Sequence, residues 1–406
     1  MTTSPSPEAL KERVGARTRA ERDGLVALSH RIHADPELSW EEHRAAAAVA
    51  ETLRDAGFDP EVGAYGVDTA VEAVRGDGDM TVTICAEYDA LPRVGHACGH
   101  NVIAAIGVGA AIALADVAEE AGLRVKLLGT PAEEHGGGKV SLLAAGAFED
   151  ATCSLMVHGG TGDDVQAAKV ALTAVERFEV VFTGRAAHAA AAPDRAINAG
   201  AAATLALTAI GLLRQQLPGG TNVNAFVSDG GQATNVIAER AVVQVEVRAD
   251  DLDTWRDLKR RILACFEGAA LAMGCAWSHE RTEHPYAPLV QDPDFSAFWD
   301  ANLERLGRTP VPPAGGGGGS SDMGNVTQVV PGLHPMISVL GATAVPHHPD
   351  FAAGAATPAA HDAIVDGATA LAWTVLDAAL TPKVRADLLA RQAARPDGAT
   401  RVTLES

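Results

Sequence analysis

The sequence predicts an α/β protein, in which a larger domain with a largely parallel sheet carries an inserted ferredoxin-like domain. Strand-like and helix-like segments alternate over residues 69–158, which is typical of a parallel sheet. From Val175 to Phe182 apolar residues instead alternate with polar ones, and the order of the following segments is β-α-β-β-α-β. At 406 residues the chain is also too long for one ordinary core.

The elements of the first domain follow in chain order. Residues 7–57 are predicted to be helical, with Ser39 as an N-cap and acids in the first turn of its helix. Later strands are expected at Thr69–Val74, Thr81–Ala86, Val125–Gly129 and Ala151–His158, and helices at Val102–Ala121 and Lys139–Ala145.

The inserted domain is predicted at residues 172–286, within a larger domain formed by 1–171 and 287–406. Its strands are expected at Val175–Phe182, Asn222–Ser228, Ala241–Arg248 and Ala276–Glu283, and its helices at Ile197–Leu217 and Asp253–Met273. After it come a helix at Phe295–Leu306, the glycine run Gly315–Gly319, a strand at Met336–Gly341 and a helix at His361–Leu380. The charged tail after Pro382 is expected to be peripheral.

Charge and composition exclude several classes of partner. The formal net charge is −20, so a nucleic acid or an anionic membrane surface would repel the chain. The longest apolar stretch, Val102–Ala115, is shorter than the ~20 residues of a membrane span, and no signal peptide is recognisable. The five cysteines are odd in number and widely spaced. They favour a reducing cytoplasm over a disulfide scaffold.

Metal-ligating residue types follow the predicted strands of the first domain, where α/β sheets place their sites. Cys98 and His100 flank a glycine that permits a tight turn, and a thiolate with an imidazole suits zinc, or manganese or cobalt. The alternative is a buried cysteine beside an incidental histidine.

The adjacent acids Glu133 and Glu134 follow an apolar strand and precede three glycines. At a strand exit one acid can ligate a metal while the other takes a proton from water. A solvated acid pair is the alternative.

Two further histidine positions complete the set. His158 ends an apolar strand, although a lone histidine there is more often structural. His347 and His348 lie between prolines on a stiff segment, and only one of them can easily point inward.

Together these clusters resemble the di-metal peptidase family of aminoacylase, hippurate hydrolase, auxin-conjugate hydrolases and carboxypeptidase G. The resemblance extends from His33-Ala-Asp-Pro-Glu-Leu-Ser to the final helix. A closer similarity is to the cysteine-ligand branch, with β-alanyl-lysine dipeptidases and aminobenzoyl-glutamate hydrolases. It rests on Glu87-Tyr-Asp-Ala-Leu-Pro, Gly95-His-Ala-Cys-Gly-His-Asn and Gly319-Ser-Ser-Asp-Met-Gly-Asn. The main branch has His-x-Asp where this chain has Glu87-Tyr-Asp89.

The resemblance implies a metal-dependent amidohydrolase that cleaves an amide bond of a small N-acyl amino acid or a dipeptide. It implies two divalent metal ions, with zinc expected and manganese or cobalt as alternatives. Glu133 is the implied general base, and Asp89 and Asp322 are expected to support the site from behind. The implied metal ligands are Cys98, His100, Glu134, His158 and His347, with Cys98 between the two metals.

For the inserted domain the resemblance implies a homodimer. His188 would then enter the partner subunit's site and stabilise the oxyanion, and Asn235 and Arg248 would bind substrate. Arg248 is equally compatible with an ordinary solvent-facing arginine. Two other functions stay open: thiol hydrolysis with Cys98 as nucleophile, and a non-catalytic metal-binding or regulatory protein.

Overall fold

A computed structural model describes residues 5–313, 318–339, 345–401 and Leu404. Their contacts group them into two compact units. The first contains the described residues up to Ala171 and those from Leu289 to 401, except Gly318–Ser320. The second contains Leu172–Pro288, Gly318–Ser320 and Leu404. The residues that follow the glycine run return to the first unit at Ser321.

The first unit begins with helices and continues with alternating strands and helices. Ser6 caps the first helix by accepting the amide hydrogen of Ala9, and Pro7 occupies the first helical position. The elements are α1 (Pro7–Ala20), α2 (Arg22–Ala34), α3 (His43–Asp55), β1 (Glu61–Val62), β2 (Val71–Arg75), β3 (Met80–Ala86), α4 (His100–Ala115), α5 (Ala118–Ala121), β4 (Leu123–Gly129), α6 (Gly138–Ala144), β5 (Cys153–Leu155) and β6 (His158–Gly160).

The second unit has the predicted order β-α-β-β-α-β. Its elements are β7 (Ala174–Thr183), α7 (Ala199–Leu213), β8 (Thr221–Asp229), β9 (Arg240–Ala249), α8 (Leu252–Met273) and β10 (Ala276–Arg281). The chain then returns to the first unit with α9 (Pro293–Arg305), α10 (Met323–Thr327), β11 (Gly332–Leu333), β12 (Met336–Ser338), α11 (Pro349–Gly354), α12 (Pro358–Leu380) and α13 (Pro382–Ala394).

The main sheet of the first unit has the strand order β1-β2-β4-β3-β5-β11. From β4 to β11 neighbouring strands are parallel, and β1 and β2 add an antiparallel edge. Every residue of β3 is buried, as expected for a strand with both faces covered. The helices α4 and α12 pack together in the core. The predicted α/β class with a largely parallel sheet is confirmed.

The second unit has an antiparallel sheet of order β10-β7-β9-β8. The alternation predicted for β7 is confirmed, because Phe178, Val180 and Phe182 are buried in the core that α7 and α8 cover. The opposite face is polar. Strand β8 pairs only with β9 among the described strands, and its Phe226 is exposed.

Three expectations need correction. Ser39 does not cap α3, because its hydroxyl donates to Asp89 and the carboxylate of Glu37 accepts the amide hydrogens at the helix start. The tail after Pro382 is not peripheral, because it forms α13 and buries Leu388. The strand expected at Met336–Gly341 ends at Ser338, and residues 340–344 lie outside the described residues.

Within the part of the chain that the structure describes, one helix, α12, is long and apolar enough to cross a membrane by length and composition. Of its most apolar window, 83% is buried inside the protein. That burial is typical of the core helix of a globular unit. This helix corresponds to the one predicted at His361–Leu380.

Candidate metal centre

The predicted ligands lie where parallel strands end. Strand β3 is followed by Glu87 and Asp89, and β4 by the acid pair Glu133-Glu134. Strand β5 leads to His158, the first residue of β6. Because β3, β4 and β5 are parallel neighbours, their carboxyl ends share one edge of the sheet, the usual place for a site in such folds.

The Cys98-Gly99-His100 turn forms the start of α4. Gly99 has φ of 79°, in the left-handed region that favours glycine, and a Cβ atom there would lie 3.2 Å from Phe351. His100 is fully buried, and its Nδ1 lies 2.9 Å from both the carbonyl oxygen and Oδ1 of Asp89. Asp89 therefore fixes the ring and turns Nε2 toward the other side chains of the cluster.

The five predicted ligands come together and form two groups that share Cys98. In each group the potential donor atoms all lie within 4.8 Å of one another. Cys98 Sγ is 3.6 Å from His158 Nε2 and 3.7 Å from His347 Nε2. The groups are Cys98, His100 and His158, and Cys98, Glu134 and His347. The geometry thus suggests which side chains would serve each of two neighbouring ions.

The two adjacent histidines have different surroundings. His347 has φ of 70°, donates its amide hydrogen to Ala97, and places Nε2 3.4 Å from Glu134. The ring of His348 accepts the amide hydrogen of Asp350 and caps α11. Of the two side chains, that of His347 is therefore directed into the cluster.

A third group, not anticipated from the sequence, consists of Glu87, His100 and Glu133. Glu87 Oε2 lies 3.5 Å from His100 Nε2, and Glu133 Oε2 lies 3.8 Å from the same atom. Glu87 was noted only as a departure from the His-x-Asp pattern. The sequence feature that could have identified Glu87 is its position directly after β3.

Behind this group lies a fully buried charged triad. Lys139 Nζ is 2.5 Å from Glu87 Oε1 and 2.6 Å from Asp322 Oδ1, and its backbone amide donates to Asp322 Oδ2. Burial alone would lower the pKa of Lys139, but the Asp322 and Glu87 carboxylates raise it above its usual value. Burial raises the pKa of Asp322 to about 6, against the opposing effect of Lys139. Asp322 thus lies behind the cluster and bonds to Lys139, a residue that the sequence motifs do not single out.

A second unanticipated residue is His334, which directly follows β11 at the same sheet edge. Its ring stacks on that of His158, with centroids 5.6 Å apart and an interplanar angle of 26°. Burial, with the neighbouring His158, lowers the pKa of His334 to about 3, so the ring is neutral. A flat neutral ring in this position restricts the orientation of His158.

The buried surroundings of Cys98 differ from those of a nucleophilic cysteine. Burial raises the pKa of Cys98 above its usual value, and the charge of Glu134 adds to the effect. Cysteine nucleophiles need the opposite, a lowered pKa in an electropositive surrounding. The thiol-hydrolase alternative is therefore disfavoured.

The second unit brings two of its predicted site residues side by side. The segment of His188 pairs with that of Val236, and Ala189 donates its amide hydrogen to the carbonyl oxygen of Asn235. His188 is exposed, and its Nδ1 accepts the amide hydrogens of Ala190 and Ala191. Because Nδ1 accepts, the proton of a neutral ring lies on Nε2, which can then donate to a substrate.

Arg248 lies on the polar face of β9. Its guanidinium donates to Glu246, to the carbonyl oxygen of Gly318 and to Ser320 Oγ. Arg248 thus anchors the end of the glycine run within the second unit.

Comparison with known proteins adds to this geometry. Residues 173–273 match the family model described as a peptidase dimerisation domain. A mouse Xaa-Arg dipeptidase is 35% identical over 395 residues, which cover 92% of this chain and 90% of the relative. The chain belongs to the M20 family of metallopeptidases. The resemblance inferred from the sequence motifs is thereby confirmed, and this M20 protein is a metal-dependent amidohydrolase.

Solved structures agree with the fold of this M20 enzyme. A putative aminohydrolase from methicillin-resistant Staphylococcus aureus superposes with a TM-score of 0.77 at 21% identity, over 90% of this chain and 99% of the other. A peptidase of the M20 family from Bacillus subtilis, described as dinuclear and metal-binding, gives a TM-score of 0.67 at 23% identity, over 88% and 99%. At these identities the likeness concerns the fold.

Proposed function

We propose that this M20 enzyme is a two-metal dipeptidase that prefers dipeptides with a basic C-terminal residue. The similarity to the mouse Xaa-Arg dipeptidase extends over 92% of this chain and 90% of the relative, and it supports the substrate class. The observation that carries the metal-dependent reaction is the pair of ligand groups sharing Cys98.

The donor atoms of this cluster fit divalent metal ions. His100 Nε2 and Glu134 Oε1 are buried and have no hydrogen-bond partner among the described residues, which is costly unless another group satisfies them. Thiolate, imidazole and carboxylate donors suit zinc best, with manganese or cobalt as alternatives. In this proposal Cys98, His100 and His158 would hold one ion, and Cys98, Glu134 and His347 would hold the other.

Glu133 is the proposed general base. Divalent ions held by these residues would supply Lewis-acid chemistry, polarising the scissile carbonyl and lowering the pKa of water. Burial raises the pKa of Glu133 well above its usual value, and the charges of Glu87 and Glu134 add to the effect. That shift applies to the site without metal. Bound cations beside Glu133 would favour its ionised form, and the carboxylate could then take a proton from the attacking water and return it to the leaving amine.

The second unit supplies the remaining parts of the proposal. His188 Nε2 donates a hydrogen bond to the oxyanion that develops on the substrate carbonyl, and Asn235 and Arg248 bind the substrate. The match to a dimerisation domain and the edge strand β8 support a homodimer through this unit. His188 would then act in the site of the partner subunit. We also place the enzyme in the cytoplasm, because all five cysteines are unpaired.

Metal dependence is tested first. Elemental analysis of the purified protein should find up to two divalent ions per chain, and chelation should abolish hydrolysis until zinc, manganese or cobalt is restored. Cys98→Ser should bind metal more weakly, because a neutral hydroxyl replaces a thiolate. Full activity in chelator, with no metal in the protein, would contradict the proposal.

A matched panel tests the substrate class. Ala-Arg, Ala-Lys, Ala-Glu and Ala-Leu differ only in the C-terminal residue, and β-alanyl-lysine and p-aminobenzoyl-glutamate extend the set. We expect kcat/KM for Ala-Arg and Ala-Lys to exceed that for Ala-Leu at least about tenfold, or about 1.4 kcal/mol. Equal values across the panel would reject the basic preference and leave the hydrolytic activity standing.

A further inference from the structure

The turn that carries the acid pair begins at a residue in an unusual backbone conformation. Ala132 has φ of 57°, in the left-handed region that is unfavourable for a residue with a Cβ atom. Ala132 is fully buried, and its carbonyl oxygen accepts the amide hydrogens of Gly137 and Gly138 at 3.0 and 3.2 Å. Such a conformation persists only where its surroundings fix it.

A buried carboxylate from far earlier in the chain fixes the amide side of this residue. Glu42 Oε1 accepts the amide hydrogen of Ala132 at 2.8 Å, and Glu42 Oε2 accepts the hydroxyl of Thr69 at 2.9 Å. Although Glu42 directly precedes α3, its side chain makes no cap there, and Glu37 accepts the amide hydrogens at the helix start. The Glu42 side chain therefore serves the turn and not its own helix.

A second carboxylate holds the other side of the same turn. Asp89 Oδ2 accepts the amide hydrogen of Glu134 at 3.0 Å. The amides immediately before and after Glu133 are thus each bonded to a buried carboxylate. Both bonds orient the backbone from which the Glu133 side chain extends.

We propose that Glu42 is a positioning residue, which aims Glu133 by holding the Ala132 amide in the left-handed conformation. The inference rests on the proposed role of Glu133 as general base. Without Glu42, the peptide before Ala132 is free to rotate and Ala132 relaxes toward an ordinary conformation, which shifts the backbone at Glu133 while Asp89 still holds Glu134. The loss therefore falls on turnover and leaves metal binding intact.

Glu42→Met tests this, because methionine has a similar length and no carboxylate. We expect kcat to fall about 10–100-fold, as for displacements of about 1 Å at a catalytic group. Metal content and KM should stay within about twofold of the parent, because the metal ligands keep their own anchors. Glu42→Gln should lose least, because its amide can still accept from Ala132 and donate to Thr69.

The decisive variant is the double substitution Glu42→Met with Ala132→Gly. Glycine adopts positive φ without strain, so it should recover at least about tenfold of the lost kcat relative to Glu42→Met alone. Glu37→Met is the control: it removes a second buried carboxylate, which caps α3, and it should leave kcat within about twofold of the parent. If Glu42→Met does not fold, Thr69→Val supplies a milder loss of the same anchor, with the same rescue by Ala132→Gly.

Hydrogen exchange gives a readout that needs no activity. In metal-free protein, the peptide containing Ala132 should exchange faster in Glu42→Met than in the parent and in Glu37→Met. An unchanged kcat in Glu42→Met, an equal loss in Glu37→Met, or a double variant no better than Glu42→Met would each overturn the inference. If Glu133→Gln were fully active, the proposed base would fail instead, and the exchange result would still test the anchor.

Discussion

Both units place a basic side chain between two carboxylates, but in opposite surroundings. In the first unit Lys139 lies between Glu87 and Asp322, and all three side chains are fully buried. In the second unit Arg177 lies between Glu246 and Glu283, on the polar face of its sheet, with 31% of its side chain exposed.

The two triads differ in the free energy that it costs to remove their charges from water. Taking charges out of water costs several kcal/mol per ion, and a buried group of charges is often no more stable than apolar residues of the same volume. Exposed pairs cost little and contribute about 0–1 kcal/mol. A fully buried triad beside a cluster of ligand-type side chains is therefore retained for what it does to its neighbours. Here it fixes Glu87 beside His100.

The largest effect is expected at the buried acid pair. Glu133→Gln should keep its metal yet lose about 10²–10⁴-fold in kcat, the usual contribution of general acid–base catalysis. Glu134→Gln should lose metal as well, because an amide is a poorer ligand than a carboxylate. Elemental analysis beside steady-state kinetics separates the two, and full activity in both variants would show that the pair is misassigned.

The next prediction runs against the contrast between buried and exposed groups, because it assigns a large effect on kcat to an exposed residue of the second unit. His188→Ala should bind metal and dimerise normally, yet lose about 10²–10³-fold in kcat, as when an oxyanion donor is removed. Mixing it with Glu133→Gln tests action across a dimer, since a mixed dimer would contain one site with both residues intact. If subunit exchange is verified and no activity returns, His188 does not act on the partner's site.

The two charged triads supply the most direct comparison. In metal-free protein, Lys139→Met should lower the free energy of unfolding by about 3–5 kcal/mol, because it leaves two buried carboxylates without their partner. Arg177→Met should lower it by less, about 1–2 kcal/mol, because its partly exposed carboxylate partners regain water. Denaturant titration of both variants measures the difference. Equal losses would mean that burial does not distinguish the triads.

The features that the sequence predicted correctly depend on short-range patterns of residues along the chain. The alternation of Phe178, Val180 and Phe182 identified a half-buried strand, since side chains on a strand point alternately to its two faces. The positions of Cys98 and Glu134 after predicted strands were enough to place them at one sheet edge, because neighbouring parallel strands end together.

What the sequence did not predict depended on partners distant in the chain. Ser39 has the residue type and position of an N-cap, but its hydroxyl donates to Asp89, 50 residues later. Lys139 bonds to Asp322, 183 residues later. Its place in an ordinary helical segment gave no indication that it would be fully buried. Such contacts are fixed by the packing of the whole unit and leave no periodic pattern.

The smallest effect is a change in how stability depends on pH. Burial, with the nearby charge of Asp89, raises the pKa of Glu42 from 4.5 to about 7. Between these values the folded protein keeps a proton that the unfolded chain has lost, so low pH favours the folded state. This contribution is complete below pH 4.5 and disappears as the pH rises through about 7.

Other buried groups titrate in the same pH range. The useful quantity is therefore the difference in the free energy of unfolding between the parent and Glu42→Gln. Asp322, with its pKa raised to about 6, has the same sign as Glu42. His334, with its pKa lowered to about 3, has the opposite sign, because the unfolded chain gains a proton there as the pH falls. Glu42→Gln removes only the Glu42 contribution. In metal-free protein, the free energy of unfolding of the parent relative to Glu42→Gln should therefore fall as the pH rises from 4.5 to about 7 and then level off. Parallel curves for the two proteins would show that Glu42 does not change its protonation there, and that its carboxylate holds the Ala132 turn in the ionised form throughout.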